Sequence, residues 1–105
     1  MRHFLVHTTV ALPDHDDPEL AALRIAEVER AHQLQQDGVI VALWREAGRL
    51  ASYGIWRGGS AEEVRAHIAS LPMHRYMTLS ITELHRHPNA VSAFPFADKE
   101  SVQGE

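Results

Sequence analysis

Between Pro18 and Asp37 the apolar residues recur with a helical period, and one acid recurs with them. In PELAALRIAEVERAHQLQQD, Leu20, Leu23, Ala31 and Leu34 share one face of an α-helix, the stripe that should be buried. Glu27 shares that face, lying seven residues after Leu20, four after Leu23 and four before Ala31. The helix therefore cannot bury its leucines without carrying a carboxylate inward. Glu29, two positions on, points to solvent. A carboxylate on an apolar face has its charged form disfavoured and its pKa raised, toward the range useful for moving protons near neutral pH. The competing reading is structural: Glu27 pairs with Arg24 or Arg30, which flank the stripe, or snorkels out of it.

The flanking sequence sets the rest of the architecture. His3 to Ala11 is β-rich and apolar on both alternating faces, as in a strand covered on both sides. Asp17 before Pro18 is a good N-cap, Glu19 adds favourable charge to the first turn, and Gly38 is placed to end the helix in a left-handed cap. Val39–Arg45 and Leu50–Arg57 read as strands joined by the polar turn Glu46-Ala47-Gly48-Arg49, hence an antiparallel hairpin. Ser60-Ala61-Glu62-Glu63 is a capping box opening a second helix, whose stripe is Ala61, Val64, Ile68 and Leu71 and which Pro72 closes. Tyr76–Leu84 is a strand in which Met77, Leu79 and Ile81 alternate with Thr78, Ser80 and Thr82. The order βαββαβ over residues 1–90 predicts an α+β ferredoxin-like sandwich, a four-stranded antiparallel sheet with both helices on one face. Residues 91–105 form a C-terminal arm, with Val91, Phe94 and Phe96 positioned to pack on something and a disordered end. With helices on one face only, apolar residues pointing the other way need a partner, and a second subunit is the simplest.

Composition narrows the function classes. At 105 residues, with 45% hydrophobic and 23% charged residues, the chain is one ordinary globular domain. The formal charge of −4 argues against a nucleic-acid binder held by phosphate contacts, and no apolar run approaches membrane-spanning length. Absence of cysteine removes thiolate chemistry and fits a reducing cytoplasm. Nine of the ten basic residues are Arg, which grips carboxylates in a forked way that Lys does not. The eight His residues are scattered: His3 and His7, or His85 and His87, lack the helical pair with a third ligand that marks a zinc site. No Ser sits in a strand-to-helix elbow, and Gly58-Gly59-Ser60 reads as a turn before a helix rather than a phosphate cradle. Trp44, Trp56, Tyr53 and Tyr76 are core or interface residues by default; Trp44 and Tyr53 alternatively wall a small pocket between the sheet and the first helix.

Several marks in register carry a resemblance: Thr9-Val10 with Leu12-Pro13, Asp17-Pro18, Glu27 and Glu29, Leu43-Trp44-Arg45 followed by Ala47-Gly48, Tyr53, Leu71-Pro72, Tyr76-Met77 and Arg86-His87-Pro88. From about Val6 to Asn89 the chain resembles the muconolactone Δ-isomerases of aromatic catabolism. The resemblance implies a ferredoxin-like fold, a closed homodecamer (a dimer at least), and neither metal nor organic cofactor. It also implies a reaction: a proton leaves the γ-carbon of an unsaturated five-membered lactone and one returns to the α-carbon, through a dienolate with charge on the lactone oxygen. Glu27 suits the base, and Tyr53 or a neutral His the donor to that oxygen. Arg45 or Arg86 suits the substrate's acetate carboxylate, with Trp44 and His87 as further substrate-binding residues. The chain departs from the family at His85, where the family has Cys, and at His74-Arg75. The substrate class is accordingly muconolactone or a related butenolide. Two other readings of the same fold are a non-catalytic oligomeric module that binds a small molecule and a cofactor-free monooxygenase.

Overall fold

Residues 1–13 and 17–91 are described by a computed structural model. Strand β1 (Arg2–Val10) leads to helix α1 (Pro18–Gln36), the hairpin β2 (Ile40–Arg45) and β3 (Ala51–Gly58), helix α2 (Ala61–Ala69), a short 3-10 turn (His74–Tyr76) and strand β4 (Met77–Leu84). The sheet order is β2-β3-β1-β4 and all pairings are antiparallel, so the ferredoxin-like arrangement is present. Of the predicted arm 91–105, Val91 is fully exposed and packs on nothing among the described residues, and residues 92–105, with Phe94 and Phe96, lie outside them.

Local chemistry fixes the element ends. Asp17 Oδ1 accepts the backbone N–H of Glu19 at 3.0 Å, and Pro18 occupies a position whose N–H would have no helical partner. Gly38 takes φ +76° after α1 and Gly48 φ +83° in the hairpin turn, conformations glycine adopts without strain. Ser60 Oγ accepts Glu63 N–H at 3.1 Å, but the Glu63 carboxylate reaches one residue further back than in a simple capping box, to Gly59 N at 2.6 Å.

The core lies between the sheet and the helices. Phe4 and Val6 of β1, Trp56 of β3, Ile40, Leu34 of α1, and Val64 and Ile68 of α2 form one buried cluster, completed by Leu71 after α2. Register explains the set: Phe4 pairs with Trp56, Val6 with Gly54 and Ile81, and Thr8 with Ser52 and Leu79, so these residues share the helix-facing side. The opposite side carries His7, Tyr53, Trp44 and Ser80 in one row across the strands. Its aromatic residues are in part exposed, Trp44 by 46% and Tyr53 by 39%. On α1, Ile25 and Val28 are exposed as well, outside the buried stripe.

Candidate active site

On α1 the buried stripe runs through Leu20, Leu23, Glu27, Ala31 and Leu34, all half-buried or buried, while the other positions, Ala26 and Arg30 apart, face solvent. The carboxylate is thus brought over the sheet by its own helix. Glu27 Oε1 accepts the backbone N–H of Met73 at 2.9 Å. That N–H starts the 3-10 turn, where the first donors have no partner within the turn, and the break at Leu71-Pro72 delivers it beneath α1. Burial raises the Glu27 pKa, and the Met73 hydrogen bond opposes the rise without cancelling it. Among the described residues no cation pairs with Glu27: Arg30 donates instead to Ser70 Oγ at 3.0 Å, and Arg24 stands at the mouth of a cavity. The structural ion pair that competed with the proton-transfer reading is absent from the described residues.

Two hollows meet at this carboxylate. The outer one, about 310 Å³, is bordered by Glu27, Arg24, Arg45, Val28, Leu50 and Met73. The inner recess, about 80 Å³, lies between α1 and the sheet; Glu27, Thr8, Ser52, Gly54, Trp56 and Met77 are among its walls. Glu27 and Met77 belong to both. An apolar recess with one ionisable group, joined to a chamber whose rim carries two exposed guanidinium groups, suits a small anionic molecule with an acidic C–H. Among the described residues no three His, Asp or Glu side chains converge closely enough to hold a metal ion.

The other sequence candidates divide by position. Arg45 lines the outer cavity with Glu27, since it pairs with Ser52 and shares the helix-facing side. Trp44 and Tyr53 do not wall the pocket between sheet and helix. They are one residue out of phase with Arg45 and Gly54, so their side chains leave by the opposite face. There the Tyr53 ring stacks on His7, with centroids 4.4 Å apart, and His7 Nε2 lies 3.0 Å from Glu46 Oε1. Arg86 and His87 also do not join Glu27 within one chain. They follow Leu84, which pairs with His3, whereas Met77, which lines both hollows, lies at the other end of the eight-residue strand, about 23 Å from Leu84. Arg86 Nη2 donates there to the Ala90 carbonyl at 3.3 Å. Sequence reasoning passed over Arg24 as a cavity residue, although its position one helical turn before Glu27 signals it. The Met73 N–H had no signal, because backbone reach across a turn is invisible in residue identities.

The family model for muconolactone delta-isomerase matches residues 2–90. The chain is 38% identical over 91 residues to the muconolactone delta-isomerase of Pseudomonas aeruginosa, covering 86% of this chain and 95% of that one. It is 37% identical over 89 residues to the muconolactone delta-isomerase of Pseudomonas putida, covering 84% and 93%. It is also similar to a crystal structure of muconolactone isomerase, with TM-score 0.79 and 34% identity over 88% of this chain and 97% of that one.

Proposed function

The chain belongs to the muconolactone delta-isomerase family, and on that premise we propose that it moves a proton within muconolactone or a related butenolide, with Glu27 as the base. The observation that carries this reading is a half-buried carboxylate of raised pKa, free of any ion pair among the described residues, at the junction of two hollows. Ionised Glu27 takes the proton from the γ-carbon; the C–H electron pair becomes a new ring double bond, the old double bond shifts toward the carbonyl carbon, and the carbonyl oxygen takes the negative charge. The pair then returns, and the α-carbon receives the proton. One carboxylate reaches both carbons from one ring face, and its raised pKa brings it closer to that of a weak carbon acid. Arg45 and Arg24, at the rim of the outer cavity, hold the acetate carboxylate.

The test is isomerisation of muconolactone in D₂O followed by NMR. The expected product is the enol-lactone, carrying any solvent deuterium at the α-carbon; no turnover and no ring-proton exchange at high enzyme concentration would overturn the reading. Arg45→Gln is expected to raise KM about 10- to 100-fold while kcat changes much less, since a charged hydrogen bond contributes about 1.5–3 kcal/mol. An unchanged KM would remove Arg45 from the substrate site.

We infer assembly as well, with support from the surface. The partly exposed Trp44 and Tyr53 on the open sheet face, with Ile25 and Val28 on α1, support association with further copies of the chain, at least a dimer and by resemblance a decamer. No described helix is long and apolar enough to cross a membrane. The cysteine-free sequence fits work in a reducing cytoplasm.

A further inference from the structure

Trp56 is only 4% exposed and belongs to the core cluster, yet among the described residues nothing accepts a hydrogen bond from its indole N–H. That nitrogen is not among the sealed polar atoms of the interior; Trp56 forms part of the wall of the inner recess. Gly54 shows where the pyrrole edge lies. A Cβ built on Gly54 would come within 2.9 Å of Trp56 Nε1 and 3.3 Å of its Cδ1, so the N–H edge overhangs a residue that also lines the recess. The missing side chain at Gly54 leaves that edge open to the hollow.

An indole N–H can donate and cannot accept, unlike the hydroxyls of Thr8 and Ser52 in the same recess. A donor that faces the recess with no acceptor from the described residues is suited to an oxygen that arrives with the substrate. Size says which part arrives. At about 80 Å³ the recess is smaller than the roughly 150 Å³ cavity that accommodates benzene, too small for a whole lactone but wide enough for the carbonyl end of one. With the carboxylate arm held toward Arg24 and Arg45 in the outer cavity, the carbonyl end points inward past Glu27.

We propose that Trp56 Nε1–H is the donor to the lactone carbonyl oxygen as it gains charge in the dienolate, a role for which Tyr53 is on the wrong face of the sheet. The proposal rests on the isomerase reading above. No bond to Trp56 is made or broken: as the electron pair from the γ-carbon spreads to the oxygen, the hydrogen bond shortens and strengthens, and it relaxes when the α-carbon is protonated.

The experiment is Trp56→Phe, which keeps an aromatic ring and removes the N–H, with muconolactone as substrate and wild type measured in parallel. The expected result is a fall in kcat of about 10²-fold or more with KM within about threefold, since removal of one oxyanion donor costs about 10²–10³ in kcat. Folding is checked by thermal melting. If the Phe variant does not fold, site-specific incorporation of the benzothiophene isostere, which puts sulfur in place of the N–H, is expected to give the same split. A kcat within tenfold of wild type, or a loss confined to KM, would overturn the assignment. An active wild type with an unimpaired variant sinks only the Trp56 role, whereas an inactive wild type sinks the isomerase reading itself.

Discussion

Glu27→Gln is expected to lower kcat for lactone isomerisation by about 10³-fold while leaving the fold intact. A positioned general base contributes about 10²–10⁴, and the amide can neither take nor return a proton. The same substitution tests the electrostatics. Because burial holds the Glu27 pKa above its ordinary value, the native chain keeps this proton to higher pH than the unfolded chain does. The residue's contribution to stability is therefore fully present below the ordinary carboxylate value and is lost as pH rises through the raised one. Above its raised pKa ionised Glu27 is a local liability, a cost that the proposed role as base would account for. The amide lifts it and still offers an oxygen to Met73 N–H, so melting at pH 7 should occur at the wild-type temperature or above. In wild type, kcat/KM should fall on the acid side with a midpoint above 4.5, the ordinary value for this group, because only the carboxylate accepts the γ-proton. Steady-state rates between pH 4 and 8, with melting curves of both proteins, decide it. A variant within tenfold of wild type would remove Glu27 as the base.

Glu27 was legible because periodicity is a property of sequence: a residue in step with Leu23 and Ala31 must go where they go. The same holds for the caps at Asp17 and Ser60, whose side chains make the predicted bonds to Glu19 and Glu63. In β3 the parity was not legible. Both of its alternating sets carry apolar residues, Ile55 in one and Trp56 in the other, and both of these are buried. Alternation alone could not say whether Tyr53 or Gly54 faces the helices. The pairing of Trp56 with Phe4 settles it, because Phe4 belongs to the core under α1 and α2. Arg86 and His87 stand apart from Glu27 within one chain for another reason. Their resemblance to a family motif carries no coordinate, and the length of β4 takes them to the far end of the sheet from Met77. Trp56, core or interface by sequence, is core; its second property, an N–H edge over a glycine, needed the indole's orientation.

Phe4→Ala is expected to cost about 3–5 kcal/mol, the usual range for emptying a buried phenylalanine site. Phe4 is 0% exposed and sits in β1, between Trp56 of β3 and Glu83 of β4, within the cluster that also holds Leu34, Val64 and Ile68. Phe4 is fully buried in a cluster to which both helices and the neighbouring strand β3 contribute, so there is little freedom to collapse into the space it leaves. Domains of this size have about 5–15 kcal/mol in total, so the loss removes a large share of the folded margin. The melting temperature should drop by roughly 12 °C or more, at about 4–8 °C per kcal/mol. Phe4→Leu, which keeps most of the volume, should cost under about 1.5 kcal/mol. Urea unfolding of the three proteins at one protomer concentration makes the comparison, with concentration fixed because assembly adds to apparent stability. The cluster also holds the C-terminal half of α1 through Leu34, two turns beyond Glu27, so it sets the height of the carboxylate above the sheet. An alanine variant that melts within a few degrees of wild type would mean that α1 is held over the recess by something other than this core.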